Sequence, residues 1–309
     1  MSSASHSGSI AEPLLAWFAR HGRSGLPWRA IRDPYRTVVS EFMLQQTQVE
    51  RVVPLFEAFV AKWPSFAALA ATSQADVVRA WKGLGYNSRA VRLRELAKTL
   101  CARYGGELPR DEAALRELPG VGPYTARAIA AFAFGADVAA VDTNVRRIVH
   151  RTQLGIEWPP RATAAQLDAV ATNLVPAGAG YAFNSAMMDL GATVCTARAP
   201  KCLICPLAAV CAAAPLSAAE LARMAAQYAA PRGRQARIRF EETDRFVRGR
   251  VVDRLRDLPP DQRISLLALH ADLSPVLTCH DIAALREIVV TLARERIVED
   301  CDGSLRLVQ

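Results

Sequence analysis

Four of the seven cysteines in this chain lie in one short run, GATVCTARAPKCLICPLAAVC, residues 191–211. Cys195, Cys202, Cys205 and Cys211 are separated by six, two and five residues, and Pro206 stiffens the loop after the third cysteine. Two thiolates at the shorter spacing can bind one metal centre from both sides of a tight loop, and the flanking pair completes a set of four ligands. The run therefore predicts a loop that is organised around a metal site.

The compartment limits what these cysteines can do. The N-terminal MSSASHSGS is polar and lacks the apolar core of a secretory signal, and no apolar run reaches transmembrane length. We therefore expect a cytoplasmic protein that has no membrane contact. Disulfides are rare in the cytoplasm. Spacing alone does not name the metal. Zinc held by four cysteines is the more common site, and a [4Fe–4S] cluster takes the same four thiolates.

The remaining sequence predicts a mainly helical fold. Apolar residues recur at three- and four-residue spacing, as in VVRAWKGLGYNSRAVRLRELAKTLCARYG, and strand-like alternation is scarce before residue 230. At 51% hydrophobic residues the chain can bury a substantial core. Its net charge of +8 suits a polyanionic partner, although charge by itself does not establish nucleic-acid binding.

Composition divides the chain into four segments. Residues 1–10 read as a disordered tail, 11–213 as the main helical core, 214–240 as a helix and basic linker, and 241–309 as a separate small domain. Three helices and a terminal hairpin are predicted for this last domain, which would resemble a winged helix. We expect it to add DNA affinity, with phosphate contacts from the linker arginines; a solvated linker with a tail packed on the cysteine-bearing lobe is equally compatible. The linker arginines are Arg232, Arg234, Arg237 and Arg239.

The run LRELPGVGPYTARAIAAFAFG, residues 115–135, predicts two helices joined by a glycine turn. Gly120 and Gly122 permit a tight turn with positive φ and leave the backbone uncovered, and Pro123 suits the first position of the second helix. Exposed amides at that helix start can hold a phosphate. A plain helix–turn–helix connection is the simpler interpretation, but LPGVG between amphipathic helices favours a helix–hairpin–helix that binds the DNA backbone.

Two acidic residues are candidates for chemistry. Glu41 lies in a predicted helix, with Phe42, Met43 and Leu44 directly after it, and an apolar wall would raise the pKa of its carboxyl as a general acid requires. Asp142 is the second residue of VDTNVRR, which looks like a helix start, and Asp is a favoured N-cap. Taken singly, Glu41 is more simply explained as solvated and Asp142 as a cap.

Several long motifs together resemble a known family. SEFMLQQTQVERV, GLGYNSRA, ELPGVGPYTARAIA, VDTNVRRIVHR, FNSAMMDLGATVCT and the cysteine run occur in the order seen in MutY-type adenine DNA glycosylases of the endonuclease III superfamily. The resemblance covers about residues 11–213. It implies a two-lobed helix–hairpin–helix glycosylase fold, with a six-helix barrel over about 25–135 and a cluster lobe over about 11–24 and 136–213. It also implies that the metal is a [4Fe–4S] cluster.

The resemblance also implies roles for individual residues. Glu41 matches the acid that protonates adenine, Asp142 the carboxylate that stabilises the cationic sugar, and Asn144 a residue that supports Asp142. Tyr124 stands where strand-cutting relatives carry a lysine, so the chain should hydrolyse the glycosidic bond without cutting the strand.

The implied DNA contacts are Trp28 and Arg29 in the base pocket, Gln46 and Tyr86 as wedges in the duplex, and Gly120 and Gly122 on the backbone. The implied partner is double-stranded DNA that contains an adenine mispaired with 8-oxoguanine or guanine. We expect a monomer, which would associate with the nucleoid if the source is bacterial.

Two features depart from the family pattern. Asn87 stands where the family often has a second Tyr, and residues 214–309 do not resemble the NUDIX-like domain that contacts 8-oxoguanine. A thymine or uracil glycosylase acting on G:T or G:U mispairs is therefore an alternative, as is a non-catalytic DNA-binding protein stabilised by zinc. Glu41 favours adenine, because thymine offers no N7 to protonate.

Overall fold

The computed structural model describes residues 9–157, 162–214, 216–229 and 239–309, and it is mainly helical as expected. The helices are α1 (Ala11–His21), α2 (Pro27–Ala30), α3 (Pro34–Leu44), α4 (Val49–Lys62), α5 (Phe66–Ala71), α6 (Gln74–Ala80), α7 (Ser88–Tyr104), α8 (Glu112–Arg116), α9 (Pro123–Phe134), α10 (Thr143–Leu154), α11 (Ala164–Asn173), α12 (Gly180–Thr193), α13 (Ala218–Ala229), α14 (Asp244–Arg256), α15 (Leu266–Leu273) and α16 (Ile282–Arg294). The strands are β1 (Ile264–Ser265), β2 (Val298–Cys301) and β3 (Ser304–Leu307).

Side-chain caps explain where many of these helices begin. Ser73 accepts a hydrogen bond from the third backbone amide along, Asp111 does the same for α8, and Thr163 forms a full capping box with Gln166. Each cap satisfies a backbone donor that the helix itself leaves without a partner. No helix in the described part of the chain is long and apolar enough to cross a membrane.

The chain divides into two compact units, each assembled from separate stretches of sequence. The first comprises Met1–Thr37, Pro109–Glu117 and Val121–Arg232, and the second comprises Val38–Leu108, Leu118–Gly120 and Gly233–Gln309. This grouping differs from the predicted lobes, because residues 121–135 pack with the cysteine-bearing unit. The C-terminal segment, predicted as a separate domain, packs in the same unit as residues 38–108.

The first unit is built around α10 and α12. Its core gathers fully buried side chains from α1, α10 and α12, among them Leu14, Ile148, Phe183 and Met187. Ile10 is also fully buried in this core, although it was predicted to belong to a disordered tail. The ordered structure therefore includes Ile10, whereas residues 1–8 of that tail lie outside the described residues.

The second unit combines helices α4–α7 with the C-terminal segment. The aromatic residues Phe56, Phe59 and Trp81 are buried at its core, and the Trp81 ring meets Phe59 edge-on at 5.9 Å between centroids. The Arg256 guanidinium donates to the Val78 carbonyl at 2.9 Å, which joins α14 to α6. The tail is therefore tied to this helical layer.

The C-terminal segment has the winged-helix-like order predicted for residues 241–309. Helix α14, strand β1, helices α15 and α16 and the hairpin β2–β3 follow one another, and the strands form an antiparallel sheet in the order β1-β3-β2. Ile264 pairs with Leu305 and Val298 with Leu307 across this sheet. Of the linker arginines, Arg232, Arg234 and Arg237 lie outside the described residues, and Arg239 forms an ion pair with Glu242 at 2.6 Å.

Candidate active site

Asp142 caps the N-terminus of α10. Its Oδ1 accepts from the Val145 amide at 2.7 Å, and its Oδ2 accepts from the Asn144 side-chain amide at 2.9 Å. Both oxygens are thus held by donors, and hydrogen bonds to an ionised acceptor are strong and directional. The carboxylate is half-buried and fixed in orientation, so the capping role and a role in chemistry are compatible.

A chain of hydrogen bonds runs from Asp142 to the cysteine loop. Arg147 donates from Nη2 to the Asn144 Oδ1 at 3.0 Å and to the Gly191 carbonyl at 2.9 Å, and from Nε to the Cys195 carbonyl at 2.9 Å. One guanidinium therefore links the support of Asp142 to the first cysteine. Arg147 was not predicted from the sequence. Its position three residues after Asn144 on a helix was the available signal, because such residues are neighbours on a helix surface.

The four clustered cysteines line one small cavity of about 30 Å³, together with Arg151. Burial raises the pKa of the Cys205 thiol to about 11, and burial also raises the pKa values of Cys202 and Cys211. Within the described residues, no group of three or more His, Cys, Asp or Glu side chains is arranged to hold a single metal ion. Four thiols around one cavity are a ligand set that either a [4Fe–4S] cluster or a four-cysteine zinc site can take.

Arg151 supports the cysteine loop from α10. Its guanidinium donates to the carbonyls of Thr196 at 2.8 Å and Ala197 at 3.0 Å, and it forms a buried ion pair with Glu157, Nε to Oε2 at 2.7 Å. Nη1 also lies 3.5 Å from the Cys195 sulfur. The Arg151 guanidinium thus places a positive charge beside the Cys195 sulfur. Such a charge favours thiolates, the form in which cysteines bind metal.

Tyr124, the second residue of α9, is half-buried on the wall of a cleft of about 610 Å³ within the first unit. Arg127, Arg146 and Asp168 line the same cleft, and Arg146 pairs with Asp168 at 3.1 Å. No lysine stands at position 124.

The glycine turn before α9 is only partly as predicted. Gly120 has a φ of +79°, and a Cβ on it would lie 2.9 Å from Cε1 of Phe42, so the turn requires glycine. Gly122 does not share this left-handed conformation. Its φ is −90°, it occupies the N-cap of α9, and a Cβ added there would have no atom within 4 Å. Pro123 opens the helix as expected.

Glu41 lies on α3 and is buried, with 8% of its surface exposed. Phe42 and Met43, which follow it, are 1% and 0% exposed. Glu41 is therefore buried, and the solvated interpretation is wrong. Glu41 belongs to the second unit, whereas Asp142, Asn144 and Tyr124 belong to the first.

Gln46 and Tyr86 share an unusual backbone conformation. Their φ angles are +54° and +46°, which is costly for residues with a side chain and is often found at functional sites. Both are exposed, and both line one cleft in the second unit. The structure thus brings these two predicted wedges together.

Arg89 fixes the two loops that carry these wedges. Its buried guanidinium donates to the Gln45 carbonyl at 2.6 Å in one loop and to the Leu84 carbonyl at 2.9 Å in the other. Burial lowers the pKa of Arg89 to about 10, so it remains charged at neutral pH. This role was not predicted from the sequence, because an Arg in GLGYNSRA looks like a solvated helix residue.

Arg29 is engaged within the fold. Its guanidinium donates to both carboxylate oxygens of Asp189, at 2.8 and 3.1 Å, and Arg23 donates to the same group at 2.7 Å. Burial opposes ionisation of Asp189, but the bonds from Arg29 and Arg23 outweigh it and lower the pKa of this carboxyl. Trp28 lies beside Arg29 in α2 and is half-buried.

Comparisons with known proteins identify the family. Residues 39–172 match the model of the HhH-GPD superfamily of base excision DNA repair proteins, and residues 195–211 match the iron–sulfur binding domain of endonuclease III. The chain is 46% identical over 246 residues to an adenine DNA glycosylase of Mycolicibacterium smegmatis, with 79% of each chain covered. The chain belongs to the adenine DNA glycosylase family.

Two further similarities define its place among these glycosylases. An adenine DNA glycosylase of Mycobacterium tuberculosis is 43% identical over 245 residues, which cover 79% of this chain and 77% of that relative. A solved structure of a thermostable thymine-DNA glycosylase matches with a TM-score of 0.59 and 32% identity, covering 65% of this chain and 93% of that one. The alignment with the Mycolicibacterium smegmatis relative spans 246 residues, which is more than the 213 residues that precede the tail. This similarity therefore extends past the predicted limit of the resemblance and into the tail.

Membership in the adenine DNA glycosylase family settles the metal. The match at residues 195–211 begins and ends on Cys195 and Cys211, the outer two of the four cysteines. The loop binds a [4Fe–4S] cluster, which Cys195, Cys202, Cys205 and Cys211 would hold, and zinc is set aside. The cluster would cross-link the loop that Arg147 and Arg151 join to α10.

One departure from the family pattern now has a structural explanation. Asn87 accepts from Nη2 of Arg256 at 2.7 Å through its side-chain oxygen. Arg256 also donates from Nε to the Val78 carbonyl, so its bonds to Asn87 and Val78 both dock α14. A Tyr at position 87 could not accept this bond with the same geometry. The asparagine at position 87 thus helps to dock the C-terminal segment.

Proposed function

We propose that this glycosylase removes adenine mispaired with 8-oxoguanine or guanine by hydrolysing its N-glycosidic bond, acting as a cytoplasmic monomer on double-stranded DNA. The observation that carries the proposal is Asp142, a half-buried carboxylate with both oxygens held by hydrogen bonds at a helix N-terminus. A fixed negative charge of this kind stabilises a sugar that becomes cationic as its bond breaks. The names of the mycobacterial relatives support adenine as the base.

The chemistry divides between two carboxyl groups. The base must first leave the stack before its bond can be reached. Glu41, buried on α3, donates a proton to N7 of adenine, so that the base departs neutral rather than as an anion. The bonding electrons leave with the base, and the oxocarbenium-like sugar faces Asp142. Water then adds to C1′ and loses a proton to the Glu41 carboxylate, which restores the acid.

The remaining residues position these groups. Asn144 orients Asp142, and Arg147 holds Asn144. Tyr124 provides no amine, so no Schiff base forms with the sugar and the strand stays intact. The [4Fe–4S] cluster supplies cross-linking of the loop after α12, and we assign it no chemical step.

A thymine glycosylase acting on G:T mispairs is the second candidate, because the thermostable thymine-DNA glycosylase shares the fold at 32% identity. The buried Glu41 argues for adenine, since protonation at N7 has no equivalent in thymine.

The experiment is base release from matched duplexes. Purified protein is mixed in excess with A:8-oxoG, A:G, G:T, U:G and A:T duplexes, and the released base is identified by mass spectrometry. We expect free adenine from A:8-oxoG and A:G, with strand breaks only after alkali treatment. Release of thymine from G:T without adenine from any duplex would support the second candidate and overturn the first.

A further inference from the structure

A group of reactive side chains lies in the C-terminal segment, at the connection between α15 and α16. Cys279 is exposed, and its sulfur lies 3.5 Å from Nδ1 of His280. Nε2 of the same ring lies 2.9 Å from Oδ1 of Asp244, the first residue of α14. Two separate elements thus bring together a nucleophile, a base within its reach and a carboxylate that orients the base.

The fold fixes the orientation of the His280 ring. Its side chain is only 6% exposed, although the neighbouring cysteine is open to solvent. An ionised carboxylate can only accept hydrogen bonds, so Nε2 of the neutral ring carries the proton that Asp244 accepts. Nδ1 is then the unprotonated nitrogen. Its lone pair faces the Cys279 thiol and can take the thiol proton.

The atoms around the Cys279 sulfur suit both of its protonation states. The thiol has two acceptors, Nδ1 of His280 and the Glu242 carbonyl at 3.6 Å. After proton transfer, the protonated Nδ1 and the Thr278 hydroxyl, 3.9 Å from the sulfur, can both donate to the thiolate. The Glu242 carboxylate is paired with Arg239 at 2.6 Å, which offsets its negative charge. The thiolate is the form of cysteine that reacts as a nucleophile.

Cys301 provides an internal comparison in the same segment. It is also exposed, and its thiol donates to Oε1 of Glu299 at 3.4 Å. The hydrogen bond from Arg306 lowers the pKa of the Glu299 carboxyl, so this carboxylate is a weak acceptor of a thiol proton. An imidazole is a stronger base than a carboxylate. The two exposed cysteines therefore differ in the base beside the sulfur.

We propose that Cys279 is a reversible modification site that exchanges with low-molecular-weight disulfides, with His280 as its base. His280 takes the thiol proton, and the thiolate attacks one sulfur of the disulfide. A bond forms between these two sulfurs while the S–S bond of the reagent breaks, and the bonding pair leaves on the second sulfur. The imidazolium returns the proton to this leaving thiolate.

The exchange balances without any other reagent. The Cys279 sulfur is oxidised and the leaving sulfur is reduced, so the products are a mixed disulfide on the protein and one free thiol. Excess thiol reverses the step. The site lies outside the proposed chemistry of base release, and the proposal does not depend on which base the enzyme removes.

The test is the rate of exchange with glutathione disulfide in the full-length protein with its cluster. At each time point free thiols are blocked with N-ethylmaleimide, and tryptic peptides are quantified by mass spectrometry. Peptide 264–286 carries Cys279 and peptide 297–306 carries Cys301. We expect Cys279 to react at least about tenfold faster in the folded protein, and the two cysteines to react at similar rates in guanidinium chloride.

Two substitutions test the roles of the base and of the carboxylate. His280→Gln retains a polar side chain but removes the base, and it should slow exchange at Cys279 by about tenfold while leaving Cys301 unchanged. Asp244→Asn should slow exchange by a smaller factor, because it removes the charge that stabilises the imidazolium. Asp244→Glu retains the carboxylate and should restore part of the rate.

The matched control is Asp257→Asn. This residue is an exposed carboxylate of the same segment that pairs with Lys82, with 63% of its side chain exposed against 79% for Asp244. The control should leave the rate at Cys279 unchanged.

Equal exchange rates at Cys279 and Cys301 in the folded protein would overturn the proposal. So would a rate at Cys279 that Asp244→Asn lowers no more than Asp257→Asn does, or one that a folded His280→Gln variant retains in full. Circular dichroism and thermal melting establish whether each variant is folded. If His280→Gln does not fold, the comparison of the two aspartate variants decides, because the Asp244 side chain is largely exposed.

Discussion

Gly191→Ala should slow base release although residue 191 touches neither base nor sugar in the proposed mechanism. A Cβ at this position would lie 2.7 Å from Cβ of Asn144 and 3.3 Å from Cδ1 of Ile148. Carbon atoms in contact are about 3.5–4.0 Å apart, so Asn144 must move by about 1 Å. The 2.9 Å bond from Asn144 to Asp142 would then exceed ordinary hydrogen-bond length.

The expected reduction in the rate of base release follows from the loss of the hydrogen bond between Asn144 and Asp142. A hydrogen bond to a charged group is worth about 1.5–3 kcal/mol, which is a factor of roughly 10 to 150 in rate if the bond is needed in the transition state. The added methyl should also cost about 1–3 kcal/mol of folding stability through overpacking. The assay is the single-turnover rate of adenine release at saturating enzyme, with thermal melting and the visible absorption of the cluster measured on the same samples.

Two comparisons isolate the mechanism of this effect. Gly25→Ala is the matched control, because nothing lies within 4 Å of a Cβ added there, and it should leave the rate unchanged. In an Asn144→Ala background, Gly191→Ala should slow the reaction little further, since the bond is already absent. A Gly191→Ala enzyme that keeps the full rate, or one whose loss adds fully to that of Asn144→Ala, would refute the reasoning.

The remaining predictions concern the residues assigned to chemistry. Asp142→Asn should abolish base release but keep DNA binding, because shape is retained and charge is lost; normal turnover in a release assay would refute the assignment. Glu41→Gln should be nearly inactive, since an amide cannot donate the proton, and undiminished adenine release would place the acid elsewhere. Tyr124→Lys should gain strand cleavage, because an amine near C1′ can form a Schiff base. If borohydride traps no covalent complex with that variant, the position of residue 124 relative to the sugar is not as proposed.

Much of the fold could be predicted from local signals in the sequence. The helix positions follow from apolar periodicity, and the order of elements in residues 241–309 could be predicted because each helix and the hairpin has its own turn signals. The cysteine run predicted a four-thiolate site, but spacing alone left zinc and iron–sulfur open. The family resemblance was needed to choose between them, because both metals bind thiolates.

Long-range contacts could not be predicted from the sequence. Nothing local to Arg89 indicates that its guanidinium binds carbonyls from two loops, and nothing local to Asn87 indicates that it accepts from Arg256, 169 residues away. The sequence also did not show which of the two glycines of the turn takes a positive φ; Gly120 does, whereas Gly122 is the N-cap of α9 and has an extended backbone. Ile10 was assigned to the tail because one apolar residue after a polar run carries no periodic signal.

The most direct test of the central claim uses a base that cannot be protonated at N7. A duplex with 7-deazaadenine opposite 8-oxoguanine retains the pairing edge of adenine and replaces N7 by carbon. If the buried Glu41 acts by protonating N7, the protein should bind this duplex about as tightly as the adenine duplex and release no base in single-turnover assays. Release of 7-deazaadenine at the rate measured for adenine would contradict the account, because the proton from Glu41 would then have no role at that atom.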